Sequence, residues 1–337
     1  MAVANFDRAQ TERAITNSMS SSRERHWAQI NEFSFVAGMR LLFWICRHFG
    51  RWPFRIVLYP TLLWYAMVKP GARRASLDYL RRIAAAGRSP GIRPGHIAVL
   101  RHFASFGESI LDRMLLWSGL FDTTLVELHG QQQIAAETVA KRGGILVCSH
   151  LGNLDLCRVL AKRLAGFKMT LLIHTKHART FNRMLAELDP ASQADVMQVT
   201  ELSPATATLL AEKISQGEFI VITGDRIPVS NQPRVAFANF LGAMAPFPVG
   251  PYILASLLQC PTYLLFSLRT GGTSEIHFEL FRESIRLPRQ NRDEALAGLV
   301  TDYASRLEHF CLRAPLQWFN FYDFWHLPGV DIAHAAS

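Results

Sequence analysis

Along residues 96–325 the chain alternates between short apolar runs and longer stretches in which apolar positions recur every three or four residues. Runs of the first kind are typical of buried β-strands, and the longer stretches are typical of helices packed on one face. This alternation predicts an α/β domain in which helices flank a central mixed sheet. The predicted strands are 124–128, 145–149, 169–174, 219–223, 262–268 and 275–280, and the predicted helices are 102–119, 131–140, 154–164, 178–187, 204–216, 251–259 and 294–313.

The N-terminal region has a different pattern, because residues 33–68 combine aromatic and aliphatic side chains with arginines and contain no acidic residue. Its uncharged run, 56–68, is interrupted by Pro60 and is shorter than the roughly 20 apolar residues of a membrane-spanning helix. We therefore expect helices that lie in, or dip into, a membrane interface. Core helices with basic outer faces, or one or two tilted spans, are the alternatives.

The domain organisation follows from these patterns. Residues 1–25 are polar and predict a flexible N-terminal arm without a secretory signal. Residues 26–95 are predicted to form a basic, aromatic, membrane-associated helical region, which includes a helix at 72–88 and ends at the Pro/Gly-rich break 89–95. Residues 96–337 are predicted to form the catalytic domain.

The net charge of +9 is concentrated near the N-terminus: residues 1–100 carry 15 Lys and Arg against 5 Asp and Glu, and residues 101–337 carry 21 against 22. A nucleic-acid enzyme usually carries basic charge around its active site, so this distribution favours an anionic membrane surface over nucleic acid. The five cysteines are odd in number and have no CxxC spacing, which predicts buried, reduced thiols.

The candidate catalytic chemistry lies in residues 143–164, where the predicted strand 145–149 is followed by a tight turn and a helix. His150 falls at the carboxyl end of this strand, the edge at which open α/β sheets place their catalytic groups. Asn153 is suited to cap the helix, and Asp155 falls in its first turn. We expect the Asp155 carboxylate to orient the His150 ring, which leaves the second ring nitrogen as a general base.

The sequence around this pair offers no good nucleophile. Ser149 points to the opposite strand face from His150, Cys148 lies deeper in the strand, and the chain has no G-x-S-x-G motif. The pattern therefore favours direct attack by an activated acceptor over a covalent enzyme intermediate. The alternative is a hydrogen-bonded core histidine followed by an aspartate that only caps a helix.

The HLGNLD sequence is an H-x4-D motif, and with four further blocks it resembles the bacterial lipid A biosynthesis (lauroyl/myristoyl) acyltransferases, within the glycerolipid acyltransferase superfamily. The resemblance covers residues 27–325 and implies a glycerolipid acyltransferase-like fold and acyl transfer. The four other blocks are RRASLDYLRRI (73–83), FIVITGDR (219–226), FANFLGAMAPFPVGPYILA (237–255) and PLQWFNFYDFW (315–325).

The resemblance also implies roles for single residues. His150 would be the general base, Asp155 its orienting carboxylate and Asp225 a second acidic site residue. Arg226 would hold a phosphate or stabilise the developing oxyanion. Further candidates for contact with the acceptor or the acyl chain are Asn153, Gly242 and Gly250.

Two departures from the family pattern leave the acceptor open. The family often has Glu where this chain has Asp155, and its loop arginine has no counterpart in residues 194–204. Arg179 or Arg183 would substitute for that arginine at the substrate.

We expect an enzyme at the cytoplasmic face of the inner membrane that moves a fatty or related acyl group from an acyl carrier protein thioester to a hydroxyl of a lipid or glycolipid. Such carrier proteins are acidic, so basic surface near the site would speed docking. The alternatives are an acyl-CoA-dependent lysophospholipid acyltransferase and a non-catalytic membrane adaptor. We expect no cofactor, no metal site and no nucleic-acid partner.

Overall fold

The computed structural model describes residues 44–87, 92–173, 194–198, 203–227 and 233–326, apart from positions 46, 118, 158 and 160–162. Within the chain, Leu58–Ser337 form one compact unit and Met1–Val57 another. The predicted arm at residues 1–25, the predicted helix 178–187, Arg179 and Arg183 all lie outside the described residues. The predicted domain boundaries stay predictions.

The described elements follow the predicted order closely. The helices are α1 (Trp52–Val68), α2 (Pro70–Ala85), α3 (His96–Trp117), α4 (Gln131–Val139), α5 (Pro204–Ser215), α6 (Gly250–Leu258) and α7 (Arg292–Arg313). The strands are β1 (Val126–His129), β2 (Gly144–Cys148), β3 (Lys168–Ile173), β4 (Ala194–Gln198), β5 (Glu218–Thr223), β6 (Val235–Phe240), β7 (Ala243–Pro248), β8 (Thr262–Thr270) and β9 (Thr273–Arg282). The predicted helix after β2 begins as a 3-10 turn at Leu154–Leu156.

A seven-stranded mixed sheet confirms the predicted fold class. Its strand order is β1-β9-β8-β2-β5-β3-β4. Strands β8, β2, β5, β3 and β4 run parallel to one another, and β9 pairs antiparallel with β8 and parallel with β1. The carboxyl ends of β2, β5, β3 and β8 therefore meet at one edge of the sheet.

Apolar side chains cover both faces of the sheet, which explains the uninterrupted apolar runs. Along β2, Ile145 and Val147 join the cluster on one face, and Leu146 and Cys148 join the cluster on the other. The larger cluster also holds residues of α2, α6 and α7. The edge of the sheet where these carboxyl ends meet is thus formed by strands that are packed on both faces.

Two features of the sheet region were not predicted from the sequence: β4 and the separate two-stranded hairpin β6–β7. Strand β7 contains Pro246 and Pro248, which obscure a strand pattern because proline cannot donate a ladder hydrogen bond. The hairpin turns at Leu241 and Gly242, with φ of 51° and 80°, as type I′ turns require. The Leu241 N–H donates to the Glu308 carboxylate of α7 at 2.6 Å.

Helices α1 and α2 differ in how much apolar surface they bury. Helix α2 buries Tyr79, Leu80 and Ile83 in the main core. In α1 only Ala66 is buried, and nine large apolar side chains are exposed, namely Trp52, Ile56, Val57, Tyr59, Leu63, Trp64, Tyr65, Met67 and Val68. Among the described residues, none of the helices combines the length and hydrophobicity needed to cross a bilayer.

Candidate active site

The register of two neighbouring strands places His150 beside Asp225. In the parallel pair β2–β5, Cys148 lies opposite Thr223, and each strand is followed after one residue by a site residue. The His150 ring Nδ1 lies 2.8 Å from Asp225 Oδ1. The His150 backbone N–H donates to Asp225 Oδ2 at 2.7 Å. One carboxylate therefore holds both the ring and the backbone of the histidine.

Asp225 is fully buried, but its carboxyl group stays ionised. Burial by itself would raise its pKa, but the charge of His150 and the hydrogen bonds from His150 and Trp318 outweigh burial, so the pKa is lowered. The ionised carboxylate accepts a hydrogen bond from Nδ1–H, and this assignment of the ring proton follows from the hydrogen-bond network. Nε2 then carries the lone pair that can accept a proton. The His150 side chain is 28% exposed.

A short C-terminal segment, residues 317–320, locks the ends of both strands. Trp318 forms an antiparallel bridge with Leu151, and its indole N–H donates to Asp225 Oδ2 at 2.9 Å. The Phe319 N–H donates to the His150 carbonyl at 2.8 Å. From the sequence, this aromatic block is recognised only through a resemblance and has no predicted role, because nothing in its local pattern identifies an indole that donates to a carboxylate 93 residues away.

Arg226 is tied to the same segment. Its Nε donates to Asn320 Oδ1 at 3.1 Å, and one terminal nitrogen donates to the Phe319 carbonyl at 3.0 Å. The guanidinium therefore braces the loop after β5 against residues 317–320. Its predicted contact with a substrate phosphate or oxyanion stays a prediction.

A buried histidine supports the segment from the opposite side. His102 on α3 donates from Nε2 to the Trp318 carbonyl and accepts from the Ser76 hydroxyl at Nδ1, both at 2.9 Å. Burial lowers the pKa of His102 to about 4, so the ring is neutral at neutral pH and these donor and acceptor roles are fixed. Helices α2 and α3 are thereby connected to the site.

Asp155 occupies a different place from the one predicted. Asn153 caps the 3-10 turn, its Oδ1 accepting from the Asp155 N–H at 3.1 Å. The Asp155 carboxylate lies 2.5 Å from Arg113 Nε on α3, whereas the ring nitrogen of His150 pairs with Asp225. The predicted His150–Asp155 pair is thus replaced by a His150–Asp225 pair, because strand register rather than the helical turn sets the ring's neighbour. A role for Asp155 in turnover stays a prediction.

Glycines near the site serve different purposes. Gly152 has φ of 64°, and a Cβ there would collide with the Ser267 carbonyl of β8, so the turn can pack this closely only with glycine. At Gly242 and Gly250 an added Cβ would meet no atom within 4 Å. Both positions therefore border open space, and their predicted contact with substrate stays a prediction.

The side chains that could act as nucleophiles beside His150 are poorly placed for it. Burial first, and the Asp225 charge second, raise the pKa of the Cys148 thiol well above its usual value, so it stays protonated. The Ser149 side chain is also buried. These features favour activation of an external hydroxyl by His150.

The comparison with known families identifies residues 103–326 as a match to the family model described as bacterial lipid A biosynthesis acyltransferase. The match includes His150, Asp225 and the segment 317–320. No curated protein sequence is significantly similar to the chain.

Proposed function

We propose, for a chain that belongs to the bacterial lipid A biosynthesis acyltransferase family, that His150 acts as the general base in transfer of an acyl group from an acyl carrier protein thioester to a hydroxyl of a lipid or glycolipid. Family membership indicates acyl transfer in lipid biosynthesis. The observation that carries the assignment of the base is the hydrogen bond between His150 Nδ1 and the buried Asp225 carboxylate.

The proposed reaction uses His150 twice. Its Nε2 takes the proton of the acceptor hydroxyl while the hydroxyl oxygen attacks the thioester carbonyl carbon. The tetrahedral intermediate then collapses, the carbon–sulfur bond breaks, and the imidazolium returns its proton to the departing thiolate. Asp225 stabilises the imidazolium in between, because a buried carboxylate at 2.8 Å interacts with that charge more strongly than water does.

The test of the proposed function is acyl transfer by the purified full-length protein. We expect acyl carrier protein thioesters to be consumed in the presence of a total bacterial lipid extract, with the labelled acyl chain appearing in lipid. Acyl-CoA of the same chain length serves as the matched donor. Transfer from CoA alone would instead support the lysophospholipid acyltransferase alternative, and transfer from neither donor would support the adaptor alternative.

The exposed surface of helix α1 supports our proposal that the protein lies at the cytoplasmic face of the inner membrane. Its exposed aromatic and aliphatic side chains exceed what a water-exposed helix of an ordinary monomer carries. Arg51 and Arg55 flank its first turn, which suits contact with anionic lipid headgroups. We propose that α1 lies in the membrane interface.

Replacing Ile56, Leu63 and Trp64 together with serine should weaken binding to anionic lipid vesicles at least about tenfold, because three apolar side chains no longer enter the interface. All three are more than half exposed, so the fold should be retained. Vesicle sedimentation measures the effect. The matched control replaces Leu125, Val139 and Leu257, exposed apolar residues on other elements; equal loss in both variants would place the membrane contact elsewhere.

A further inference from the structure

A cavity of about 100 Å³ lies beside the His150 turn, on the β8 side. Gly152 and Asn153 of the turn border it, as does Phe319, whose N–H bonds to the His150 carbonyl. It also borders β8, which neighbours β2 on the side opposite β5 and Asp225. The rest of its wall comes from the polar residues Ser105, Ser109, Asp112, Ser267, Arg269, Ser274 and Gln317 together with Leu156 and Leu268.

Two polar groups of this wall are buried without a hydrogen-bond partner among the described residues, Ser267 Oγ and Asn153 Nδ2. Their side chains are 3% and 6% exposed. Because Asn153 Oδ1 accepts from the Asp155 N–H, the amide orientation is fixed and Nδ2 is a donor. Buried polar groups almost always have a hydrogen-bond partner in folded proteins. Two such groups without one around a single cavity therefore point to a ligand that hydrogen-bonds to them.

The cavity wall is close to electrically neutral. Arg269 pairs with the mostly buried Asp112 at 3.2 Å, and this carboxylate disfavours an anion as the cavity's occupant. The Gln317 amide is committed to the Arg269 backbone at 2.8 and 2.7 Å. Ser109 donates to the Gly152 carbonyl, so the groups left to meet a ligand are the other serine hydroxyls and the Asn153 amide. These groups suit hydroxyl groups better than phosphate.

The volume restricts the ligand further. A cavity of about 150 Å³ takes up a benzene ring, so this smaller one admits a fragment carrying two or three hydroxyls rather than a whole disaccharide. We propose that the cavity binds neighbouring hydroxyls of the acceptor headgroup, from a sugar ring or from glycerol. This inference rests on the proposed function, and it assigns the side of the His150 turn from which the acceptor enters.

Direct binding tests the inference without an acyl donor, so its outcome is independent of whether His150 is the base. The probes are methyl β-D-glucopyranoside and glycerol, titrated into the full-length protein and followed by saturation-transfer NMR. We expect one of them to bind and Ser267→Ala to raise its Kd about 3- to 10-fold, as loss of one hydrogen bond does. Asn153→Asp, which keeps the capping oxygen but removes the donor, should act in the same direction.

Stability and a matched variant separate binding from folding. Ser267→Ala should leave the Tm unchanged or raised, because it removes a buried hydroxyl without a partner. Thr262→Val removes another such hydroxyl, at the opposite end of β8, and should leave binding unchanged. His150→Ala should also bind the probes, even where it transfers no acyl group.

Three outcomes would overturn the inference. The first is that neither probe binds, or that Ser267→Ala binds both probes as tightly as Thr262→Val and the unsubstituted protein do. The second is tighter, Ser267-dependent binding of inorganic phosphate, which would make the cavity an anion site. The third is Ser267-dependent binding of pantetheine but of neither polyol, which would assign the cavity to the donor.

Discussion

Asp225→Asn is expected to lower kcat roughly 10²- to 10⁴-fold while the protein stays folded. Asp225 Oδ2 accepts from two N–H groups, of His150 and of Trp318, so the amide of the variant must turn its NH₂ toward the His150 ring. That orientation favours the tautomer with the proton on Nε2 and removes the charge that stabilises imidazolium. The effect appears in steady-state rates with a saturating acceptor, beside circular dichroism of the same preparation.

Asp155→Asn is the matched control for this prediction. It makes the same chemical change in a carboxylate that pairs with Arg113 of α3 rather than with the His150 ring. Partly exposed pairs of this kind contribute about 1 kcal/mol or less, so kcat should fall by less than about tenfold. If Asp155→Asn were the more damaging of the two, Asp155 and not Asp225 would be the carboxylate on which the base depends.

His150→Ala is expected to reduce acyl transfer by at least roughly 10²- to 10⁴-fold, the contribution of a positioned general base. Asp225→Asn should add little when combined with His150→Ala, because residues that act as a unit give non-additive losses. The rates are measured as label transferred from thioester to lipid.

His129→Ala provides the control for loss of a histidine, since His129 is half exposed on β1 at the edge of the sheet. It should keep the unsubstituted rate. Near-normal transfer by folded His150→Ala protein would remove His150 from the mechanism and leave the Asp225 contact with a purely structural role.

The sequence predicted the sheet well because its strands are buried on both faces and read as uninterrupted apolar runs, as in Ile145–Val147 of β2. It failed at β4, whose five residues include Asp195 and Gln198, and at β7, where two prolines hide the pairing. Helix α7 was predicted almost to the residue, since 22 residues with a regular apolar stripe leave little ambiguity.

The sequence named both members of the hydrogen-bonded His150–Asp225 pair but did not pair them with each other. His150 and Asp225 were both named, yet a local rule linked the ring to Asp155, five positions along the chain. The true neighbour is set by the register of β2 against β5, which a single sequence does not display. Trp318 was missed for the same reason, because its contact with Asp225 exists only after the C-terminal segment folds back over the sheet edge.

Lipid mass spectrometry of cells is the most direct test of whether this chain acylates a lipid through His150. Cells of one strain would carry the unsubstituted gene, the His150→Ala gene or no gene, with equal protein levels confirmed in the first two. We expect a lipid species heavier by one acyl group in the first culture and absent from the other two. Identical lipid profiles in all three cultures, or the same acylated species with His150→Ala, would contradict it.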